Sequence, residues 1–249
     1  TLAVWRIEVP RLGTVVFKET ADAREANALW QLRHPNIVEL LRVCPRGLVL
    51  EHMAGGSLGA LLHVDKTRLE RPRVLALFHD VCKALAFVHE RNVLHLDLKS
   101  DNVLLNGDRA QAKLADFGSA REQRVTMGVT RIELTALWCA PEALASPPLL
   151  TAAADVWSAG MVLYEMCTNR LPYDGDLNRG IKSIVSGECP PLEGASSDLC
   201  DMMRGAWQQA PPARPSSRQL LERVETLMSV TCGICYGEFG LKDVAQCSN

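Results

Sequence analysis

The sequence lacks three features that would place it in a special class. It has almost no net charge: 27 Lys and Arg against 29 Asp and Glu leave -2 at neutral pH. Such a balance creates no field that would favour nucleic acid or an anionic membrane as the main partner. It has no signal peptide and no apolar run approaching the ~20 residues that a membrane-spanning helix needs. Its nine cysteines make no paired framework, so they read as mostly small buried hydrophobes in a reducing, cytoplasmic compartment. What remains is an ordinary globular composition in 249 residues, enough for one large core or two lobes. The chain starts at Thr1 and both ends interrupt motifs, so it reads as an excerpt from a longer protein.

Chemistry concentrates in His95-Leu96-Asp97-Leu98-Lys99-Ser100-Asp101-Asn102, which runs into the apolar Val103-Leu104-Leu105. Held open as a loop, Asp97, Lys99 and Asn102 converge on one small volume. A carboxylate there accepts a hydroxyl proton, an ammonium neutralises a phosphoryl oxygen, and an amide oxygen ligates a divalent cation. Fourteen residues past Asn102 comes Asp116-Phe117-Gly118, a second carboxylate before a flexible glycine, and Ala140-Pro141-Glu142 follows further on. Each tripeptide alone is weak, because Asp and Asn are ordinary turn residues. Their order and spacing make the signal.

The rest of the chain supplies elements to carry that loop. Residues 1 to 18 alternate or run apolar around Pro10-Arg11-Leu12-Gly13, which predicts a hairpin whose second strand ends in Lys18. Residues 22 to 33 fit a helix with Ala26, Leu29 and Leu32 on one stripe, closed by Arg33-His34-Pro35. Leu48 to Met53 is an apolar strand turning polar before Ala54-Gly55-Gly56. Arg73 to Arg91 carries the helical stripe Val74, Leu77, Phe78, Val81, Leu85 and Val88, and Lys113-Leu114-Ala115 is a short strand before Asp116. Asp155 to Met166 is apolar nearly all round, the mark of a helix buried on every side. A last helix shows Leu220, Leu221, Val224, Leu227 and Met228 on one face, with Ser216 or Ser217 as its cap.

Residues 1 to about 228 resemble the protein kinase family, with details similar to its tyrosine-kinase-like (Raf/MLK-like) serine/threonine group. The group resemblance rests on Leu32-Arg33-His34-Pro35-Asn36-Ile37-Val38, Gly56-Ser57-Leu58 and Trp207 with Arg214-Pro215-Ser216. It implies an α+β, two-lobed fold: a small β-rich lobe over 1–53, whose first strand and Gly-rich loop fall before Thr1 or are degenerate, and a larger helical lobe over 54–228. It implies ATP and magnesium, with Asp97 as base, Lys99 steadying the transferred phosphoryl, and Asn102 and Asp116 holding the metal. Lys18 would position the nucleotide with Glu25 as its partner. Val4, Val16, Leu50 as gatekeeper, Leu104 and the backbone of Glu51 and Met53 would enclose the adenine. Asp155 would pin the catalytic loop, and Arg214 would pair with Glu142. Lys99 and Thr135 favour Ser or Thr over Tyr as acceptor.

Plainer readings stand beside these. Lys18 alone is a solvated strand end, Asp22 to Glu25 is a capping box, and Asp155 is a helix cap. Only seven positions separate Lys18 from Glu25, about half the family's usual interval; extended, they reach ~24 Å. The family's Arg before the catalytic Asp is here Leu96, so phosphorylation at Thr126 or Thr130 would lack its usual partner. Residues 229–249 change character: Cys232-Gly233-Ile234-Cys235 followed by Cys247 resembles the opening of a RING-type zinc domain with an incomplete ligand set. The expectation is therefore a protein serine/threonine kinase acting on a protein substrate. Its alternatives are a pseudokinase scaffold, or the substrate-recruiting part of a ubiquitin ligase that meets a ubiquitin-conjugating enzyme.

Overall fold

The computed structural model describes residues 3–20, 23–122 and 135–231. Asp22, Thr126, Thr130 and the cysteines Cys232, Cys235 and Cys247 lie outside the described residues.

Strands β1 (Val4–Val9) and β2 (Gly13–Glu19) form the antiparallel hairpin, in register from Val4 opposite Lys18 to Val9 opposite Gly13. The turn uses left-handed backbone at Arg11 and at Gly13 (φ 74°), and glycine adopts the latter without steric cost. After α1 (Ala23–Gln31) come β3 (Leu40–Cys44) and β4 (Gly47–Glu51), giving a sheet of order β1-β2-β4-β3. Cross-strand partners share a face. Val16 sits opposite Leu50 and Lys18 opposite Leu48, so Val4, Val16, Lys18 and Leu50 lie on one side of this sheet. The other side carries Trp5 stacked on Phe17 at 5.8 Å. The sequence reading missed β3, whose Leu40-Leu41-Arg42-Val43 pattern lacks clean alternation; its register slips between Leu40 and Arg42.

Helix α1 stops two residues before the expected end. Pro35 restrains His34 from helical backbone, and the ring Nδ1 of His34 accepts the Asn36 N–H at 3.1 Å. The chain then touches the second lobe before returning to the sheet as β3. The Val38 N–H donates to the Leu114 carbonyl at 2.9 Å, and the Leu114 N–H to the Asn36 carbonyl at 2.8 Å.

The second lobe holds β5 (Gly56–Ser57), helix α2 (Arg71–Glu90), β6 (Val93–Leu94), β7 (Val103–Leu105), β8 (Ala112–Leu114) and β9 (Arg121–Glu122). Helices α3 (Ala152–Thr168), α4 (Leu177–Ser186), α5 (Ser197–Ala206) and α6 (Ser217–Thr231) complete it. The short ladders β5-β7-β8 and β6-β9 frame the loops that carry the chemistry. Every residue of α3 from Ala154 to Met166 is buried, which makes it the axis of the lobe. Ser216 caps α6 reciprocally: its Oγ accepts the Gln219 N–H at 3.2 Å, and its own N–H donates to Gln219 Oε1 at 2.8 Å. Ser217 turns instead to His89 at 2.9 Å. Arg214 grips Glu142 with both terminal guanidinium nitrogens, at 2.6 and 2.8 Å.

Candidate active site

The loop from His95 to Asn102 is set by what lies beneath it. His95 is fully buried, its Nδ1 accepts the Asp97 N–H at 3.3 Å, and its Nε2 donates to the Ala115 carbonyl at 3.0 Å. Its ring tilts against Phe117 with centroids 4.8 Å apart, joining this loop to the Asp116-Phe117-Gly118 segment. Leu96 has left-handed backbone at φ 62°, a conformation that costs a branched side chain of order 1–3 kcal/mol. Asp155, at the start of α3, offsets this by accepting two backbone N–H groups, from His95 and Leu96, each at 2.8 Å. Asp155 is thus more than a helix cap. Burial opposes its charge, but the bond from His89 at 2.9 Å and the backbone donors outweigh that and hold its carboxyl below the usual range.

Past that strained residue the reactive groups meet. The Asn102 amide donates to the Asp97 carbonyl at 2.7 Å and to Asp97 Oδ2 at 2.9 Å, which fixes the carboxylate's orientation. Lys99 Nζ lies 3.4 Å from Asp97 Oδ1 and 3.3 Å from Thr135 Oγ1, so it spans the loop and the segment leading to Ala140-Pro141-Glu142. Across the cleft Lys18 Nζ donates to Glu25 Oε1 at 2.6 Å and to Asp116 Oδ1 at 2.7 Å. The short tether from Lys18 to Glu25 therefore does not keep the pair apart. Burial works against the Lys18 charge, Asp116 and Glu25 more than restore it, and the ammonium titrates above an ordinary lysine. Asp116 is also pushed up by burial, yet Lys18 and the Gly118 N–H carry its carboxyl below the usual range.

Above this triad the sheet face presents Val16, partly buried, with Leu50 and Met53 in the core; Leu104 packs from β7. Val4 shares the face but is 58% exposed. The Glu51 side chain is turned to Lys113, which donates to both its oxygens at 2.7 and 2.8 Å, and accepts the Glu39 N–H at 2.7 Å. Met53 uses its carbonyl to accept the Gly56 N–H at 3.2 Å. The donor set suits a hard divalent cation. With its NH2 committed to Asp97, the Asn102 amide keeps its oxygen for a ligand, and the Asp116 side chain is 37% exposed. Among the described residues no cluster of three or more His, Cys, Asp or Glu marks a further metal site.

One residue of this region went unread in the sequence. Glu165, ten positions after Asp155 on α3, is fully buried and accepts from Ser100 Oγ at 2.6 Å, Trp138 Nε1 at 2.7 Å and His63 Nε2 at 2.8 Å. The signal was available: Asp155, Ser158 and Glu165 stand at i, i+3 and i+10, which is one face of a helix otherwise apolar all round.

The family description "Protein kinase domain" matches residues 13–224. The chain is 29% identical over 233 residues to the serine/threonine-protein kinase STY46 of Arabidopsis thaliana, covering 91% of this chain and 40% of that protein. It is 34% identical to the probable serine/threonine-protein kinase drkD of Dictyostelium discoideum, covering 86% of this chain and 17% of that one. Against the serine/threonine/tyrosine-protein kinase HT1 of Arabidopsis thaliana the identity is 32%, over 81% of this chain and 53% of the relative. In each case the chain spans only part, from 17% to 53%, of the relative's length.

Proposed function

The chain belongs to the protein kinase family, and on that premise we propose that it transfers the γ-phosphate of ATP to Ser or Thr hydroxyls of protein substrates. The observation that carries the proposal is the convergence of Lys99 and Asn102 on Asp97, each within hydrogen-bonding reach of its carboxylate, together with the Lys18–Glu25–Asp116 triad. Asp97 accepts the hydroxyl proton as the acceptor oxygen bonds to the γ-phosphorus. The bond from that phosphorus to the β,γ-bridging oxygen breaks, and ADP leaves with the electron pair. Lys99 offsets charge on the phosphoryl oxygens in passage and, through Thr135, keeps the acceptor segment in register with the base. Lys18, paired with Glu25 and Asp116, would hold phosphate oxygens, a role that these two ion pairs support. Bound magnesium would neutralise phosphate charge, with Asn102 and Asp116 as the oxygen ligands that the chain presents.

The tyrosine-kinase-like grouping is part of the proposal, supported by the Gly56-Ser57-Leu58 sequence and by the likeness to HT1. Two further elements rest on sequence. Cys232, Cys235 and Cys247 are assigned as thiolates of a zinc domain, which would make a ubiquitin-conjugating enzyme a second partner. A cytoplasmic setting is proposed from the spacing of the nine cysteines, which makes no paired framework.

The test is incubation with γ-labelled ATP, magnesium and a generic protein substrate, followed by phosphoamino-acid separation. Label on Ser or Thr supports the proposal. A folded protein that binds ATP and transfers nothing favours the pseudokinase reading and overturns this one.

A further inference from the structure

We propose that the outer face of the small-lobe sheet is where this chain pairs with a second copy of itself, through Trp5, Ile7 and Phe17 and a reciprocal ion pair between Glu19 and Arg46. The proposal concerns assembly, and it stands apart from phosphoryl transfer.

The strand pattern makes two unlike faces. Alternation puts Val4, Val16 and Lys18 on the cleft side, and Trp5, Ile7, Phe17 and Glu19 on the other. The solvent side of an antiparallel sheet ordinarily carries polar side chains. Here Trp5 is 46% exposed and Ile7 37%. With Phe17 they line an open hollow of about 310 Å³, which Glu19 and Arg46 complete. Removing such apolar surface from water gains about 25 cal/mol per Å², and an exposed apolar patch with a polar rim marks a site of association.

The rim decides what associates. Arg46 Nη2 lies 3.2 Å from Glu19 Oε1, and the Arg46 side chain is 83% exposed. An ion pair so open to water contributes ~0–1 kcal/mol, so both ends are free to change partners. A membrane surface or a nucleic acid would meet one cation cancelled by one carboxylate, which gives no net attraction. A rim that holds one acid and one base beside an apolar floor is instead complementary to itself, the condition for an isologous, two-fold interface.

The geometry of such a pair follows from the hairpin. Trp5 and Phe17 are cross-strand neighbours on β1 and β2, with ring centroids 5.8 Å apart. A two-fold axis running along the hairpin between these strands sets Trp5 of each copy over Phe17 of the other, sheet face against sheet face. The same operation brings each Arg46 to the Glu19 of its partner. Burial of the rings around these pairs excludes water and strengthens them. Lys18 lies on the opposite side of the sheet, so the cleft of each copy stays open.

The experiment is sedimentation velocity over a concentration series of the chain, with ATP titration of every variant as the check on folding. Wild type is expected to show a reversible monomer–dimer equilibrium. Trp5→Ser is expected to weaken dimerisation about 10-fold or more, as for an aromatic anchor at the centre of an interface. Glu19→Arg and Arg46→Glu are each expected to weaken it by about 10-fold, because like charges then face one another twice. Mixing these two variants should restore the dimer to near the wild-type affinity, since every arginine then finds a glutamate across the interface. Should Trp5→Ser fail to fold, the charge variants decide alone. A wild-type chain that stays monomeric throughout overturns the proposal, and the face then serves a different partner. A dimer that the charge variants leave intact, or that their mixture fails to restore, overturns it as well, because its contacts lie elsewhere.

Discussion

The carboxylates of the cleft and those of helix α3 are held by opposite means. In the cleft Glu25 and Asp116 share one cation, Lys18, at 2.6 and 2.7 Å. On α3 Asp155 is satisfied by backbone N–H groups and His89, and Glu165 by a hydroxyl, an indole and His63. A cation's partners can be exchanged, since a phosphate oxygen takes the place of a carboxylate oxygen at little cost in charge. Directional donors from fixed backbone and buried side chains cannot be exchanged in that way. The contrast separates a region built to change partners during turnover from one built to stay still.

Breaking the cleft side should have the largest effect. Lys18→Met removes the cation that the buried Glu25 and Asp116 share; transfer is expected to fall by about 100-fold or more, and stability by about 3–5 kcal/mol. Urea unfolding beside a transfer assay checks both. If the protein were unchanged in stability, the triad would not be the buried pair described here.

The α3 side should respond to pH in a defined direction. The Asp155 carboxyl titrates below its ordinary value of 3.8 when folded, so its stabilisation is complete above that value. It is lost as pH falls through the lower folded value. Asp155→Asn should therefore be less stable than wild type at neutral pH, and the gap should narrow under acid as the wild-type carboxylate is protonated. Thermal melts from pH 7 down to about 2 would show the convergence; a constant gap would mean that the Asp155 charge contributes nothing.

The smallest effect sharpens the comparison at its boundary. Leu96 stands where a phosphorylated segment would find a cationic partner, so wild-type activity should depend little on phosphorylation at Thr126 or Thr130. In Leu96→Arg the rate should rise severalfold on phosphorylation. Strong dependence in the wild-type protein would sink this reading.

How much of this was legible in the sequence follows from how local each signal was. The stripe from Val74 to Val88 predicted a helix over 73–91, and α2 runs Arg71–Glu90. The run before Lys18 predicted a strand, and β2 extends it to Gly13–Glu19. Each of these is written in spacing along one segment. Of the β5-β7-β8 ladder only β8 was foreseen, as the short strand before Asp116; its pairing was not legible, because the strands are two or three residues long and exist through distant contacts. Asp97, Lys99, Asn102 and Asp116 could be named from order and spacing. Glu165 could not be valued, because its donors arrive from 27 to 102 positions away. Even so, its place on one face with Asp155 and Ser158 was visible.

Both regions converge on one carboxylate, Asp97, and its replacement is the decisive experiment. ATP affinity and the single-turnover rate of phosphate transfer should be measured for wild type and Asp97→Asn side by side. Equal affinity is expected, with a rate lower by about 100- to 10,000-fold in the variant, the range for removing a general base. Equal rates would contradict it, because the proton would then leave the acceptor hydroxyl by some route other than Asp97.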